Sequence, residues 1–196
     1  MELYLITGFL GAGKTTFLKN FARQFAGRRL RLIINEFGCA GVDGTLLREL
    51  DAALDEISNG SIFCACRLDQ FEAALEQAAA DAPDVVLVEA SGLADPTNVR
   101  RVLAQFPAVS YQGSVCVADA ARLEKVFSTA RACPRQLAVS SLVLLNKTDL
   151  ATEAQCAEAK ALILRANPAA RIRRTQFGRF EPEWLSLIVP DVDVDE

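Results

Sequence analysis

The chain of 196 residues contains no histidine, a single methionine, a single tryptophan and two tyrosines. The missing histidine is the most restrictive absence. Without imidazole, both the commonest metal ligand and the usual general base are gone, so any metal site must be built from sulfur and oxygen. A surplus of positive charge is also lacking: 21 Lys and Arg stand against 25 Asp and Glu, a net charge of −4. That excludes a nucleic-acid face built on phosphate neutralisation. The Arg-rich pieces Arg28-Arg29-Leu30-Arg31 and Arg171-Ile172-Arg173-Arg174 flank expected strands and read as solvated strand ends. No apolar run approaches the ~20 residues that span a bilayer, and the chain enters its first strand at once, without a signal peptide. The expectation is a cytoplasmic protein without nucleic-acid or membrane partners, its six cysteines thiols rather than disulfides.

What is present is a chain for an α/β fold. With 51% hydrophobic and 23% charged residues it is globular in composition, and its length suits one α/β domain. Short aliphatic runs at Leu3–Thr7, Leu30–Asn35, Val85–Val88, Val115–Asp119 and Leu142–Leu145 read as buried strands, with a sixth at Arg171–Thr175. Between them lie helical patterns. Phe17, Leu18, Phe21 and Phe25 mark the first, and Leu46, Leu47, Leu50, Leu54 and Ile57 recur at helical spacing in a second. A third presents Leu68, Phe71 and Leu75 inward, with Asp69, Glu72 and Glu76 outward. Asp95-Pro96 reads as an N-cap followed by Pro at the first helical position. Thr152-Glu153-Ala154-Gln155 is a capping box for a helix that ends near Asn167-Pro168, and Glu181-Pro182 opens a last short one. Strands alternating with helices imply a doubly wound, mostly parallel sheet of the three-layer P-loop NTPase architecture. Residues 1–190 are expected to form one such domain and the acidic tail 191–196 to fray.

The first strand runs into Gly8-Phe9-Leu10-Gly11-Ala12-Gly13-Lys14-Thr15-Thr16, a match to G-x-x-x-x-G-K-[ST]. Gly8, Gly11 and Gly13 permit backbone conformations that a Cβ would forbid, so successive N–H groups around Ala12 can turn inward as an anion nest. The following helix adds its positive end. Lys14 supplies an ammonium for the terminal phosphates, Thr15 a hydroxyl for Mg²⁺, and Thr16 continues the site. In a parallel sheet, ligands gather at the carboxyl ends of the strands, so the loops after the first, second, third and fifth strand should meet there.

Asn146-Lys147-Thr148-Asp149 fits N-K-x-D. The Asp149 carboxylate can accept from the guanine N1–H and exocyclic amine together, the Lys147 stem can pack along the base, and Asn146 can brace the loop, so GTP is expected over ATP. Glu89-Ala90-Ser91-Gly92 ends a buried strand. There Glu89 can hold Mg²⁺ and the Gly92 N–H can bond the γ-phosphate, coupling nucleotide state to the next loop.

Together GFLGAGKTT, INEFG, VEASGLADP and LLNKTDL strongly resemble the CobW-like GTPases, relatives of the UreG and HypB metallochaperones. In this chain Glu89 stands in place of the more usual Walker B Asp. The resemblance covers about residues 3 to 178. It implies a GTPase, using GTP and GDP with Mg²⁺, whose hydrolysis is tied to delivering a metal to a client metalloprotein or cofactor-dependent enzyme, and a nucleotide-dependent homodimer. In related dimeric GTPases the loop after the second strand supplies the water-orienting carboxylate, making Glu36 and Asp43 the candidates here. With no arginine finger evident, intrinsic turnover should be slow.

The sequence departs from the family in two places. The G-C-x-C-C metal motif aligns with Gly60-Ser61-Ile62-Phe63-Cys64, keeping only its last cysteine, while Cys66 follows two residues later. In the loop aligned with NEFGEVGID, Cys39 replaces a carboxylate. Many members also continue into a carboxy-terminal domain, which is absent from this sequence. One reading makes Cys39, Cys64 and Cys66 a thiolate-rich site for Zn²⁺ or another soft metal, with Glu36 as an oxygen ligand. The other packs Cys64 and Cys66 as small residues in a turn and leaves Cys39 incidental. Two alternative functions follow: a nucleotide-gated client-binding module without its own metal, and a P-loop kinase for a small molecule. Cys116, inside a strand, is expected in the core, and Cys133 and Cys156 carry no spacing signal.

Overall fold

The computed structural model describes residues 1–35, 44–50, 52–57 and 68–190. Its strands are β1 (Glu2–Thr7), β2 (Leu30–Asn35), β3 (Ala52–Ile57), β4 (Val85–Glu89), β5 (Ser110–Asp119), β6 (Leu142–Asn146) and β7 (Arg171–Arg174). They form one sheet in the order β3-β2-β4-β1-β5-β6-β7, with every pairing parallel. The helices are α1 (Lys14–Ala22), α2 (Gly44–Leu50), α3 (Leu68–Asp81), α4 (Val99–Leu103), α5 (Leu123–Thr129), α6 (Ala132–Ala138) and α7 (Glu153–Ala166). Among the described residues, no helix is long and apolar enough to cross a membrane.

Both sheet faces are covered, which explains the unbroken aliphatic runs. Tyr4, Ile6, Leu87, Val117 and Leu144 pack beneath α1 with Phe17, Phe21 and Phe180. The alternate residues Leu3, Leu5, Val86 and Val88 face α3 and α4, meeting Phe71, Leu75 and Val99. Further along, Val143 and Leu145 face α5, α6 and α7. Strand alternation thus feeds three packed clusters around one sheet.

Four expectations need correction or extension. Residues 46–57 are not one helix. The helix stops at Leu50, and Ala52–Ile57 is the edge strand beside β2. Leu54 packs with the α1-side cluster and Ile57 with the α3-side cluster. Burial on both faces of a strand imitated a helical spacing. Nor is Arg31 solvated. It is 5% exposed, and its guanidinium donates to Asp55 at 2.5 and 2.9 Å and also pairs with Asp81. The Asp55 carboxylate, supplied by the unexpected strand, receives it bidentately. The helix expected at Pro96 begins at Val99. Asp95 instead accepts from the N–H and hydroxyl of Thr97, at 3.2 and 2.8 Å, a local turn that outcompetes a cap. Finally, β5 starts at Ser110, and α5 and α6 lie where the sequence carried no marked helix. The capping box at Thr152 and Gln155 forms as read.

Candidate nucleotide site

The central strand β1 ends between β4 and β5, so its loop meets loops from both sides of the sheet. Gly8, Gly11 and Gly13 all have positive φ, at 135°, 75° and 101°. A Cβ on Gly8 would stand 2.2 Å from the Val117 carbonyl oxygen, and one on Gly13 2.6 Å from Asn146 Nδ2. Close approach of the Val117 backbone and the Asn146 side chain, as much as dihedral freedom, demands glycine here. Gly13 caps α1 in the left-handed conformation with no side-chain cap bond. The first N–H groups of the helix are thereby left to face an anion. Lys14 is buried, Ala12 is buried beneath the loop, and Thr16 is exposed.

Thr15 Oγ1 donates to Glu89 Oε1 at 3.2 Å, and Glu89 is 3% exposed. A hydroxyl and a buried carboxylate so close together make an all-oxygen donor pair that fits Mg²⁺, a hard cation. Gly92 lies against the phosphate loop: a Cβ there would fall 2.6 Å from the Leu10 backbone nitrogen. A cleft lined by Gly11, Gly13, Lys14, Thr15, Asn35, Glu89, Ser91 and Gly92 joins these groups, with Leu10 and Leu93 exposed at its rim.

On the other side, Asn146 Nδ2 donates to the Ala12 carbonyl at 2.9 Å, and Asn146 Oδ1 accepts from the Gly178 N–H at 3.0 Å. Lys147, at φ 58°, donates from Nζ to the Gly11 carbonyl at 2.5 Å and to Asp119 Oδ2 at 2.9 Å. The stem of Lys147 therefore lies across the mouth of the loop. Asp149, in the short 3-10 turn Thr148–Leu150 after β6, is exposed.

The structure thus brings together Gly8 to Thr16, Glu89, Gly92, Asn146 and Lys147, with Asp149 two residues along the same loop. Glu36, Asp43, Cys39, Cys64 and Cys66 lie outside the described residues. Among the described residues, no group of three or more His, Cys, Asp or Glu is placed to hold a metal ion. The remaining thiols are interior. Cys116, Cys133 and Cys156 are buried and unbridged, and burial pushes the Cys116 thiol up to about 12 and the Cys133 thiol up to about 11. Protonated at neutral pH, those two make poor metal ligands.

Sequence reasoning missed Asp119 and Gln136 as parts of this neighbourhood. Asp119 ends β5 beside Lys147, and an acidic residue closing an aliphatic strand was signal enough to include it. Gln136 Nε2, on α6, donates to the carbonyls of Gly92 and Ala94; no local pattern announces it.

A phosphate loop, a strand-ending carboxylate, a glycine after it and a braced N-K-x-D loop on a parallel sheet define the P-loop GTPase fold class. Within it, the chain belongs to the CobW/HypB/UreG family, whose nucleotide-binding domain model matches residues 2–174. The zinc chaperone CobW of Pseudomonas aeruginosa is 32% identical over 206 residues, covering 87% of this chain and 55% of that protein. The Zn(II)-bound YjiA GTPase of E. coli superposes with a TM-score of 0.70 at 23% identity, over 97% of this chain and 61% of the other. The hydrogenase maturation factor HypB of Archaeoglobus fulgidus gives 0.63 at 21%, over 95% and 87%. The chain spans about half the length of the curated relatives it matches.

Proposed function

We propose that this chain binds and slowly hydrolyses GTP, and that its nucleotide state controls transfer of a soft metal ion to a client protein. The observation that carries the nucleotide half is the double tie from Asn146 and Lys147 to the phosphate loop. This tie supports reading Asp149, two residues beyond Lys147, as the guanine-reading carboxylate.

In this reading Lys14 and the α1 N-terminus neutralise the β- and γ-phosphates. Thr15 and Glu89 hold Mg²⁺, which when bound lowers the charge on the same oxygens. Water adds to the γ-phosphorus, the bond to the β–γ bridging oxygen breaks, GDP leaves with that electron pair, and the proton lost by the water passes to solvent. Glu36 or Asp43 orients the water. Positioning and charge stabilisation carry such a reaction, so a chain without histidine is suited to it. Gly92 reports the γ-phosphate to its loop, and a homodimer bridged by nucleotide is part of the proposal.

The cargo half rests on Cys39, Cys64 and Cys66, with Glu36, as thiolate and carboxylate ligands for Zn²⁺ or a similar ion. The relatives named zinc chaperones support that choice, and the burial of the other three cysteines leaves these three to carry it.

Titration with GTP, GDP and ATP, then with Zn²⁺ under reducing conditions with and without a non-hydrolysable GTP analogue, tests both halves. GTP preferred over ATP and a Zn²⁺ affinity that depends on nucleotide are expected. Equal binding of ATP would favour a small-molecule kinase. A Zn²⁺ stoichiometry unchanged in the triple Cys39, Cys64, Cys66→Ser variant would leave a nucleotide-gated client-binding module.

A further inference from the structure

We propose that Gln136 is a positioning residue that sets the γ-phosphate-sensing loop, and so the preference of the site for GTP over GDP. The inference rests on the reading of Gly92 as the γ-phosphate contact.

Gln136 is 1% exposed, and its Nε2 donates to the Gly92 carbonyl at 3.2 Å and the Ala94 carbonyl at 2.9 Å. Both bonds cross more than forty residues of sequence, from α6 to the loop after β4. Its own backbone carbonyl accepts from Ser140 Oγ at 2.7 Å, which anchors the end of α6 beneath it. A buried amide that spends both N–H groups on one loop is a clamp on that loop, because each carbonyl it leaves would be stranded away from water.

The loop needs such a clamp. Gly92 has no side chain, and glycine samples a wide range of backbone angles. The phosphate loop at Leu10 already fills the space a Cβ would take. Gln136 fixes the Gly92–Leu93 peptide through its carbonyl. The neighbouring Arg135 pairs with Asp95 on the same loop, but that pair is largely exposed and contributes little.

GDP has no γ-phosphate to meet Gly92, so the effect of losing the clamp is selective. Affinities for a non-hydrolysable GTP analogue and for GDP are measured in the parent, Gln136→Met, Gln136→Glu and Arg135→Ala. Gln136→Met keeps the length and removes both donors; Gln136→Glu keeps the shape. In both, analogue affinity is expected to fall roughly tenfold as an ordered loop becomes an unordered one. GDP affinity stays within about twofold of the parent, as do both nucleotides in Arg135→Ala. Equal losses for the two nucleotides in a folded variant, or no loss for either, overturns the proposal.

A measurement on the parent alone covers variants that do not fold. The Gln136 side-chain amide resonances of ¹⁵N-labelled protein should shift with the GTP analogue and stay put with GDP; identical shifts for both overturn it. A parent that binds neither nucleotide instead defeats the underlying reading of the site.

Discussion

The two sides of the nucleotide cleft are held in different ways. On the β5–β6 side, the loops hold one another directly: Asn146 bridges Ala12 and Gly178, and Lys147 reaches both Gly11 and Asp119. On the β4 side, Thr15 donates to Glu89, joining phosphate loop to strand end, and Gln136 holds the loop beyond by the Gly92 and Ala94 carbonyls. The first arrangement is pre-organised and lowers the ordering needed when a base arrives. The second grips the loop after β4 by two of its carbonyls. In the proposed reading, recognition of the base and response to the γ-phosphate fall on opposite sides of one central strand.

That contrast can be broken most severely at the point the two sides share. Lys14→Ala removes the buried cation on which the phosphates converge, and hydrolysis of GTP should fall on the order of 10³-fold; retained turnover in single-turnover assays would contradict the assignment. Asn146→Ala attacks the pre-organised side alone. It strands the Ala12 carbonyl and the Gly178 N–H, costing about 3 kcal/mol and lowering Tm by roughly 6–12 °C for a chain of this size. A melting curve within about 2 °C of the parent would show that the brace is dispensable.

A third effect concerns the thiols packed under β5 and α6, and it depends on pH. Cys116 on β5 and Cys133 on α6 keep their protons in the folded state beyond the ordinary thiol range near 9, toward about 12 and about 11. The folded chain then holds protons that the unfolded chain releases. Their stabilising contribution is complete below about pH 9 and declines as pH rises through the folded values. Thermal melts from pH 8 to 11 should fall more steeply for the parent than for the Cys116→Ala, Cys133→Ala double variant. Parallel curves would mean the thiols titrate no differently on folding.

Much of the fold was legible because its strands are buried on both faces and end in polar motifs. Val85–Glu89 and Leu142–Asn146 appear almost as read. The illegible parts share a cause. Leu50, Leu54 and Ile57 looked helical because a two-sided strand and an amphipathic helix can place apolar residues at the same intervals. Arg31 looked solvated because its partners, Asp55 and Asp81, come from other elements. The site divides likewise. Gly8 to Thr15, Glu89 and Asn146 to Asp149 carry spacing that states their chemistry. Gln136 does not: a lone glutamine on a short helix acquires meaning only through two carbonyls more than forty residues away.

The place of β1 in the sheet has a consequence for synthesis. Both its neighbours, β4 and β5, come from residues 85 and beyond, and the brace between Asn146 and Ala12 joins residues 134 apart. The phosphate loop is among the first segments made and among the last to be completed. A nascent chain shorter than about 150 residues presents the motif without its walls, in a topology whose non-local pairing is slow to form. In the proposed reading, GTP meets a complete site only after the sixth strand has been added, so nucleotide would stabilise the assembled domain rather than its early folding.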